Sequence, residues 1–290
     1  MAPKAVRLLA IIAATLFGAR AASACDRELN IVYFNSAPYH FEDDTGKLTG
    51  LDVDILEAVL DAAGCTWRYT EMPLKRSLSA LSSGIADVAM GASITPDREK
   101  YAYFTTPYRR ELMVMFTRRQ DMASMPTTLS GLADLTKAHL RIGAHLGSWY
   151  GYEYARLFDR DTGFRAQVLQ SVDYENLYRA LLAERVDVVI DDIFNGHAIL
   201  KRLGLLEATD VHPYVVNDSV THFMLSRKSV SPTTVAAIDS AIEVFQKSAG
   251  YREVITHYVP EEYLSRYPLL SASPALPTER GERTMRLMAR

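Results

Sequence analysis

Strand and helix patterns alternate twice along this chain, and each round reads as a βαβαβ unit. The first set has strands at 29–34, 66–71 and 86–92 and helices at 51–63 and 74–83. The second set has strands at 140–145, 166–170 and 187–192 and helices at 149–158 and 174–184. Short apolar strands that alternate with amphipathic helices are typical of a mostly parallel sheet with helices on both faces.

Two extended runs, 111–117 and 215–225, connect and follow these sets, and a helical pattern at 232–248 comes after the second run. Two such extended runs predict two α/β lobes joined by a two-strand hinge. A chain of 290 residues is long enough for two such lobes. The predicted first lobe combines residues 25–117 and 221–266. The second lobe is predicted over residues 122–216, with the hinge near 117–122 and 216–221.

The N-terminus has the order of a secretory signal peptide. Basic residues Lys4 and Arg7 precede an apolar run, and Ala22-Ser-Ala24 supplies an A-x-A cleavage site. Cleavage after residue 24 removes three basic residues and no acid, which takes the formal charge from −3 to −6. The alternative is a frayed apolar helix. We expect an exported, periplasmic protein without a membrane span, and a flexible C-terminal tail over 267–290, which is rich in Pro and charge.

The chain has two cysteines, Cys25 and Cys65, and each stands just before a predicted strand of the first set. The starts of two parallel strands in a right-handed βαβ unit are neighbours, so we predict a disulfide between them. The alternative is a lipidated Cys25, although Ala22 stands where such a signal normally has Leu.

Composition and motifs exclude several classes of function. No basic patch with interleaved aromatic residues occurs, which argues against nucleic-acid binding. The seven histidines lack metal-ligand spacing, and no phosphate-binding loop is present. We therefore expect a monomer without metal or cofactor that binds a small molecule.

A fixed cation and a hydroxyl follow the third strand of the first set, in Ser93-Ile-Thr-Pro-Asp-Arg98. Ligands of open α/β sheets bind beyond the carboxyl ends of the strands, where Ser93 and Arg98 should lie. A guanidinium offers a two-pronged fork to a carboxylate. The alternative is that Arg98 pairs with a neighbouring acid on an exposed turn.

Three segments together resemble the family 3 solute-binding proteins of bacterial ABC importers. They are Gly50-Leu-Asp-Val-Asp-Ile-Leu56, Ile94-Thr-Pro-Asp-Arg98 with Phe104-Thr-Thr-Pro-Tyr108, and Asp187-Val-Val-Ile-Asp-Asp192. The resemblance spans most of residues 29–260. It implies the two-lobe type II periplasmic-binding-protein fold, a small ligand in the interlobe cleft and a membrane permease as partner.

The resemblance also implies roles for individual residues. Arg98 and Ser93 match the residues that hold the ligand's α-carboxylate, and Asp192 matches the acid that accepts from its α-ammonium. Asp191 is the alternative to Asp192, since strand alternation sends the two to opposite faces. A ligand held by one charge from each lobe stabilises the closed state.

Four further residues are candidates for contact with the ligand. Gly147-Ser148 matches the family's Gly-Ser/Thr pair, and Ser148 either caps the following helix or also binds the ligand. Trp149 stands where small polar residues are common. Tyr39 is the candidate aromatic wall. Arg76 either reaches the cleft or lies on the solvated face of its helix.

The predicted function is therefore a periplasmic binding protein for a small zwitterion or carboxylate, with an amino acid or its derivative as the first choice and no chemical transformation. One alternative is an enzyme on the same fold, similar to cyclohexadienyl dehydratase, which would need a proton donor with a shifted pKa in the cleft. Another is a ligand-sensing binding protein.

Overall fold

The computed structural model describes residues 25–126, 128–146 and 148–270. The predicted signal peptide, Gly147 and the part of the tail beyond Leu270 lie outside these residues. None of the helices in the described ranges is long and apolar enough to cross a bilayer.

The strands follow the predicted order, with three additional short ones. They are β1 (Leu29–Tyr33), β2 (Phe41–Glu42), β3 (Leu48–Thr49), β4 (Trp67–Glu71), β5 (Val88–Ala92), β6 (Ala102–Phe104), β7 (Arg109–Arg118), β8 (Ile142–His145), β9 (Val168–Ser171), β10 (Val188–Asp192) and β11 (Thr209–Ser226).

The helices are shorter and more numerous than the periodicity predicts. They are α1 (Leu51–Ala62), α2 (Leu74–Ser83), α3 (Pro96–Glu99), α4 (Ala133–Lys137), α5 (Tyr152–Arg160), α6 (Thr162–Ala166), α7 (Tyr174–Leu182), α8 (Ile193–Leu203), α9 (Pro232–Phe245), α10 (Ala249–Tyr258) and α11 (Glu261–Arg266). Short 3-10 segments cover Arg119–Ser124, Leu206–Ala208 and Pro268–Leu270.

The sheet consists of two parallel halves joined by two antiparallel strands. Its order is β4-β1-β5-β11-β7-β10-β8-β9, and β6 also pairs with β11. Pairing is parallel within β4-β1-β5 and within β10-β8-β9, and antiparallel along the central β11-β7 ladder. The two-lobe α/β fold predicted from the sequence is therefore present.

The crossing between the halves lies earlier in the chain than predicted. Residues Met113–Thr117 of β7 already pair with β10, which belongs to the second half of the sheet. Residues 109–112 of β7 pair only with residues 218–221 of β11, so β7 joins the second half of the sheet before the hinge predicted near 117–122. The sequence gives no sign of this change in pairing, because β7 is continuously buried from Leu112 to Arg118. The lobe boundaries remain a prediction.

The hydrophobic core covers both faces of the sheet. α1 supplies a buried stripe that includes Ile55, Leu56 and Val59, the face that its 3.6-residue period predicts. This stripe packs against α9 and α10, so the C-terminal helices complete the first lobe.

The first residues of the predicted flexible tail are packed. Tyr267 is 4% exposed, and its hydroxyl donates to the carbonyl oxygen of His212 at 2.7 Å. Leu270 is also buried. The prediction of a flexible segment from residue 267 is thus wrong for its first residues, because the side chains of Tyr267 and Leu270 pack into the hydrophobic core.

The predicted disulfide is present between Cys25 and Cys65, whose Cα atoms are 5.1 Å apart. The bond joins the segment before β1 to the loop before β4, and these strands are parallel neighbours.

Replacing both cysteines by serine is expected to lower the free energy of unfolding by about 3 to 4 kcal/mol, because a loop of this length then gains freedom in the unfolded chain. Urea unfolding of the mature protein measures the change. Reduction of the parent protein should reproduce the loss and should not affect the double variant. Equal unfolding midpoints for parent and variant would contradict the prediction.

Candidate functional site

A cavity of about 150 Å³ opens at the carboxyl ends of β1 and β5 in the first lobe. Its lining combines strand-end residues, part of α2 and one guanidinium. The lining residues are Val32, Tyr33, Phe34, His40, Leu74, Ser77, Leu78, Ala89, Met90, Gly91, Ala92, Arg98 and Met224. Arg98 supplies the guanidinium of this cavity, and its position beyond the end of β5 matches the strand-end site that the sequence predicts.

Arg98 is held by the turn between β5 and β6. The Thr95 hydroxyl caps α3 by accepting from the backbone N–H of Arg98, and Nη1 of Arg98 donates to the carbonyl oxygen of Ser93 at 3.0 Å. The Ser93 side chain is exposed beside it. Arg98 does not pair with Asp97, whose carboxylate accepts instead from Lys100. The alternative in which Arg98 pairs with Asp97 is therefore wrong.

A buried ion pair lies next to this cavity. Arg109, at the start of β7, donates from Nε to Oδ1 of Asp52 at 2.6 Å and from Nη2 to Oδ2 at 3.2 Å. The Asp52 and Arg109 side chains are 1% and 3% exposed. Gly91 connects the two sites: it lines the cavity with φ +66°, and a Cβ there would approach Asp52 Oδ2 to 3.3 Å.

Tyr39 extends from the first lobe to the second. Its ring lies under the Arg109 guanidinium, with the Cζ atom 4.6 Å from the ring centroid, and its hydroxyl donates to Oδ1 of Asp192. Burial, followed by the charge of Asp192, raises the pKa of Tyr39 well above its usual range, so the phenol keeps its proton and acts as the donor. Tyr39 thus connects the two lobes in addition to offering an aromatic surface.

The two adjacent acids at the end of β10 have different surroundings. Asp191 accepts from the Tyr178 hydroxyl and the Asn195 amide inside the second lobe. Asp192 caps α8 through Oδ1, which accepts from the backbone N–H groups of Phe194 and Asn195. Oδ2 of Asp192 is buried and has no hydrogen-bond partner within the described ranges. Asp192, rather than Asp191, is therefore the acid that faces the first lobe.

Burial raises the pKa of both Asp191 and Asp192. A third acid, Glu111 of β7, lies on the same face of its strand as Arg109. Burial, followed by the charge of Asp192, raises the pKa of Glu111 to about 7. The junction of the lobes therefore contains more carboxylates than cations, and at least one of them is poised to keep a proton near neutral pH.

The second-lobe loop after β8 differs from the prediction. Ser148 does not cap a helix, because α5 begins only at Tyr152. The N-cap position is Gly151, whose φ of 90° favours glycine. The Ser148 hydroxyl contacts the His145 ring and the Tyr174 hydroxyl, both at 3.0 Å. Trp149 is 51% exposed and lies edge to face with Tyr152. Gly147 lies outside the described residues.

Arg76 is exposed on α2, whereas Leu74, Ser77 and Leu78 of that helix line the cavity. Of the two predicted alternatives, its placement matches the solvated face.

A larger cavity of about 330 Å³ lies away from the strand ends, between the 3-10 segment 119–124 and α11. Its wall is mostly apolar, and its one arginine, Arg266, already donates to Asp210 and to the carbonyl of Val211. We do not assign the ligand to it.

Residues 29–140 match the model of the bacterial extracellular solute-binding proteins, family 3. Two curated proteins are similar over most of the chain. One, named "Probable histidine-binding protein", from Neisseria gonorrhoeae, is 22% identical over 229 residues, which are 78% of this chain and 80% of that protein. The other is the ABC transporter arginine-binding protein 1 of Escherichia coli (strain K12), 25% identical over 89% of this chain and 100% of its own length. Over residues 29–140 the chain is therefore similar to this family.

The fold of the chain matches solved structures as well. A polar amino acid ABC uptake transporter substrate binding protein from Streptococcus thermophilus superposes with a TM-score of 0.64 at 19% identity, over 90% of this chain and 92% of that chain. At this identity the likeness speaks for the two-lobe fold alone.

Proposed function

We propose that this protein is the binding protein of an ABC importer and that it takes an amino acid, or a close derivative, into the cleft between its lobes. The observation that carries the proposal is the pair of opposite charges on the two lobes. Arg98 lines the first-lobe cavity, and Asp192 presents a buried, unpartnered carboxylate oxygen from the second lobe. A zwitterion supplies the partner of each.

The physical basis is the cost of leaving a buried charge unpaired. A carboxylate oxygen without a donor loses its hydration and gains nothing in return, so a ligand ammonium at Asp192 is favoured. The guanidinium of Arg98 can bind the ligand's carboxylate with two parallel hydrogen bonds. The names of the relatives, which bind histidine or arginine, support the same ligand class.

The remaining candidates take secondary roles in this proposal. Ser93 adds a hydroxyl next to Arg98, and Tyr39 borders the site of the ammonium. Ser148 and Trp149 lie on the second-lobe rim, where Trp149 is exposed enough to cover a ligand when the lobes close. We infer that the protein works in the periplasm, after removal of residues 1–24, and delivers its ligand to a membrane permease.

A thermal-shift screen of the mature, oxidised protein tests the proposal. L-arginine and L-histidine are the first probes, with succinate as a control that has carboxylates but no ammonium. Ligand at a hundredfold excess over its dissociation constant stabilises by about 2.7 kcal/mol, which for two lobes of this size corresponds to roughly 5 to 10 °C. No shift with any of the twenty amino acids or with opines, which are amino-acid derivatives, would contradict the proposed function.

One observation favours the enzyme alternative. Burial, followed by the charge of Asp192, raises the pKa of Glu111 to about 7, which is close to the pH at which a general acid would work. A binding protein returns its ligand unchanged, so we expect NMR spectra of the bound amino acid to be the same before and after prolonged incubation. A change in the ligand that stops when Glu111 is replaced by Gln would favour the enzyme.

A further inference from the structure

Glu111 lies at the hinge, just beyond the end of β10. The register pairs Asp192 with Met113 and Ser219 with Glu111, so Glu111 is two residues from the partner of Asp192 on the same face of β7. Such diagonal neighbours lie within reach of long side chains. The only protein donor to the Glu111 carboxylate within the described ranges is the Ser219 hydroxyl, at 3.4 Å from Oε2.

The groups around Glu111 leave a deficit of positive charge. Asp192 faces it from β10, and Asp52 and Arg109 approach from α1 and β7. The Arg109 guanidinium is already bound to Asp52 through two hydrogen bonds. Three carboxylates therefore meet one guanidinium, and the Tyr39 and Ser219 hydroxyls add dipoles but no charge.

The free oxygen of Asp192 indicates where the missing charge belongs. Asp192 is 4% exposed, and its Oδ2 has no hydrogen-bond partner in the part of the chain that the structure describes. Without a ligand, the least costly remedy is a proton, and burial followed by the charge of Asp192 raises the pKa of Glu111 to about 7. A cation with N–H donors would satisfy both acids.

We propose that Glu111 is a specificity-determining residue: together with Asp192 it forms a carboxylate pair that binds a cationic nitrogen of the ligand, and this nitrogen replaces a proton that the pair holds in the ligand-free protein. The inference rests on the proposed function and extends it. One proton leaves as one cation enters, so the net charge of the site is unchanged. Ligands whose corresponding nitrogen is neutral or fully alkylated are excluded, because they lack either the charge or the donors.

Calorimetry with L-arginine tests the exchange, since L-arginine keeps its own charges between pH 5 and 7. Titrations in buffers with different ionisation enthalpies give the number of protons released. With a pKa of about 7 for Glu111, we expect about half a proton per ligand at pH 7 and nearly one at pH 5. Affinity should fall at least tenfold from pH 7 to pH 5.

Glu111→Gln is expected to weaken L-arginine binding by about tenfold or more and to abolish most of the proton release. Asp218→Asn is the matched control. Asp218 is the acid next to Ser219, and it bonds to Arg110, which lies on the opposite face of β7 from Glu111, so its loss should change neither quantity. E111Q protein with the parent's affinity and proton release overturns this inference and leaves the proposed function standing. A parent protein that binds no amino acid overturns both.

A second readout needs no ligand. Glutamate in the unfolded chain titrates near its ordinary 4.5, whereas folded Glu111 keeps its proton up to about pH 7. The folded state binds more protons in this window, so the stability of the ligand-free protein falls as pH rises through it. Urea midpoints at pH 5 and 7.5 should differ less in E111Q than in the parent and in D218N. An unchanged difference in E111Q overturns the retained proton and with it the inference.

Discussion

Arg98→Ala is expected to weaken amino-acid binding by about a hundredfold or more while the fold persists. The binding loss is large because the variant leaves the ligand's carboxylate in the cleft without a charged partner. The effect on stability is small because Arg98 is partly exposed and, among the described residues, its guanidinium bonds only to the backbone carbonyl of Ser93. Calorimetry and urea unfolding measure the two effects separately.

Arg76→Ala is the matched control for that experiment. Arg76 has the same charge and belongs to the same lobe, but it lies exposed on α2 and outside the lining of the cavity. It should bind amino acids as the parent does. If Arg76→Ala loses affinity and Arg98→Ala keeps it, the carboxylate site lies elsewhere on the first lobe.

Arg109→Met is expected to lower the free energy of unfolding by about 3 to 5 kcal/mol. The variant removes both hydrogen bonds from Arg109 to Asp52 and leaves that buried carboxylate without a cationic partner. It also removes the cation above the Tyr39 ring. Urea unfolding of the ligand-free protein gives the change.

Two further variants separate the buried charge from lost packing. Arg109→Met combined with Asp52→Asn should recover part of the loss, because no unpaired charge remains. Lys100→Met removes a pair whose side chains are 73% and 89% exposed, and it should change stability by less than about 0.5 kcal/mol. If Arg109→Met unfolds at the parent's urea concentration, the pair with Asp52 does not hold this junction together.

The parts of the fold that follow from local pattern could be predicted from the sequence. The helical pattern places α1 and α2 within a residue of their observed ends, and Gly84, with φ 83°, ends α2. The neighbouring strand starts of a βαβ unit predict the Cys25–Cys65 bond. The strand-end position of Arg98 follows from the same kind of pattern. Asp192 was suggested by the resemblance to the family 3 solute-binding proteins, and the roles of both residues in binding remain predictions.

The cluster of charged and aromatic side chains between the lobes could not be predicted in this way, because its members come from four separate segments. They are Tyr39, Asp52, Arg109 with Glu111, and Asp192. Asp52 reads as a favourable acid in the first turn of α1, and only the fold shows that it is buried against Arg109. Arg109 and Glu111 start a strand, where charges normally face solvent. The sequence does contain one indication, the alternation of side chains along the strand. Arg109, Glu111 and Met113 share one face of β7, and Met113 pairs with Asp192 at the end of β10.

The central β7–β11 ladder, finally, determines which interactions control how far the lobes open. β11 is one strand of 18 residues that pairs with β7 from Thr209 to Thr221 and then with β5 and β6 of the other half. We infer that the lobes rotate against each other through a change in the twist of this ribbon, which requires no backbone hydrogen bond to break. The resting angle between the lobes is therefore set by a few side chains in the cleft, so single substitutions there can adjust affinity without any change in the atoms that touch the ligand.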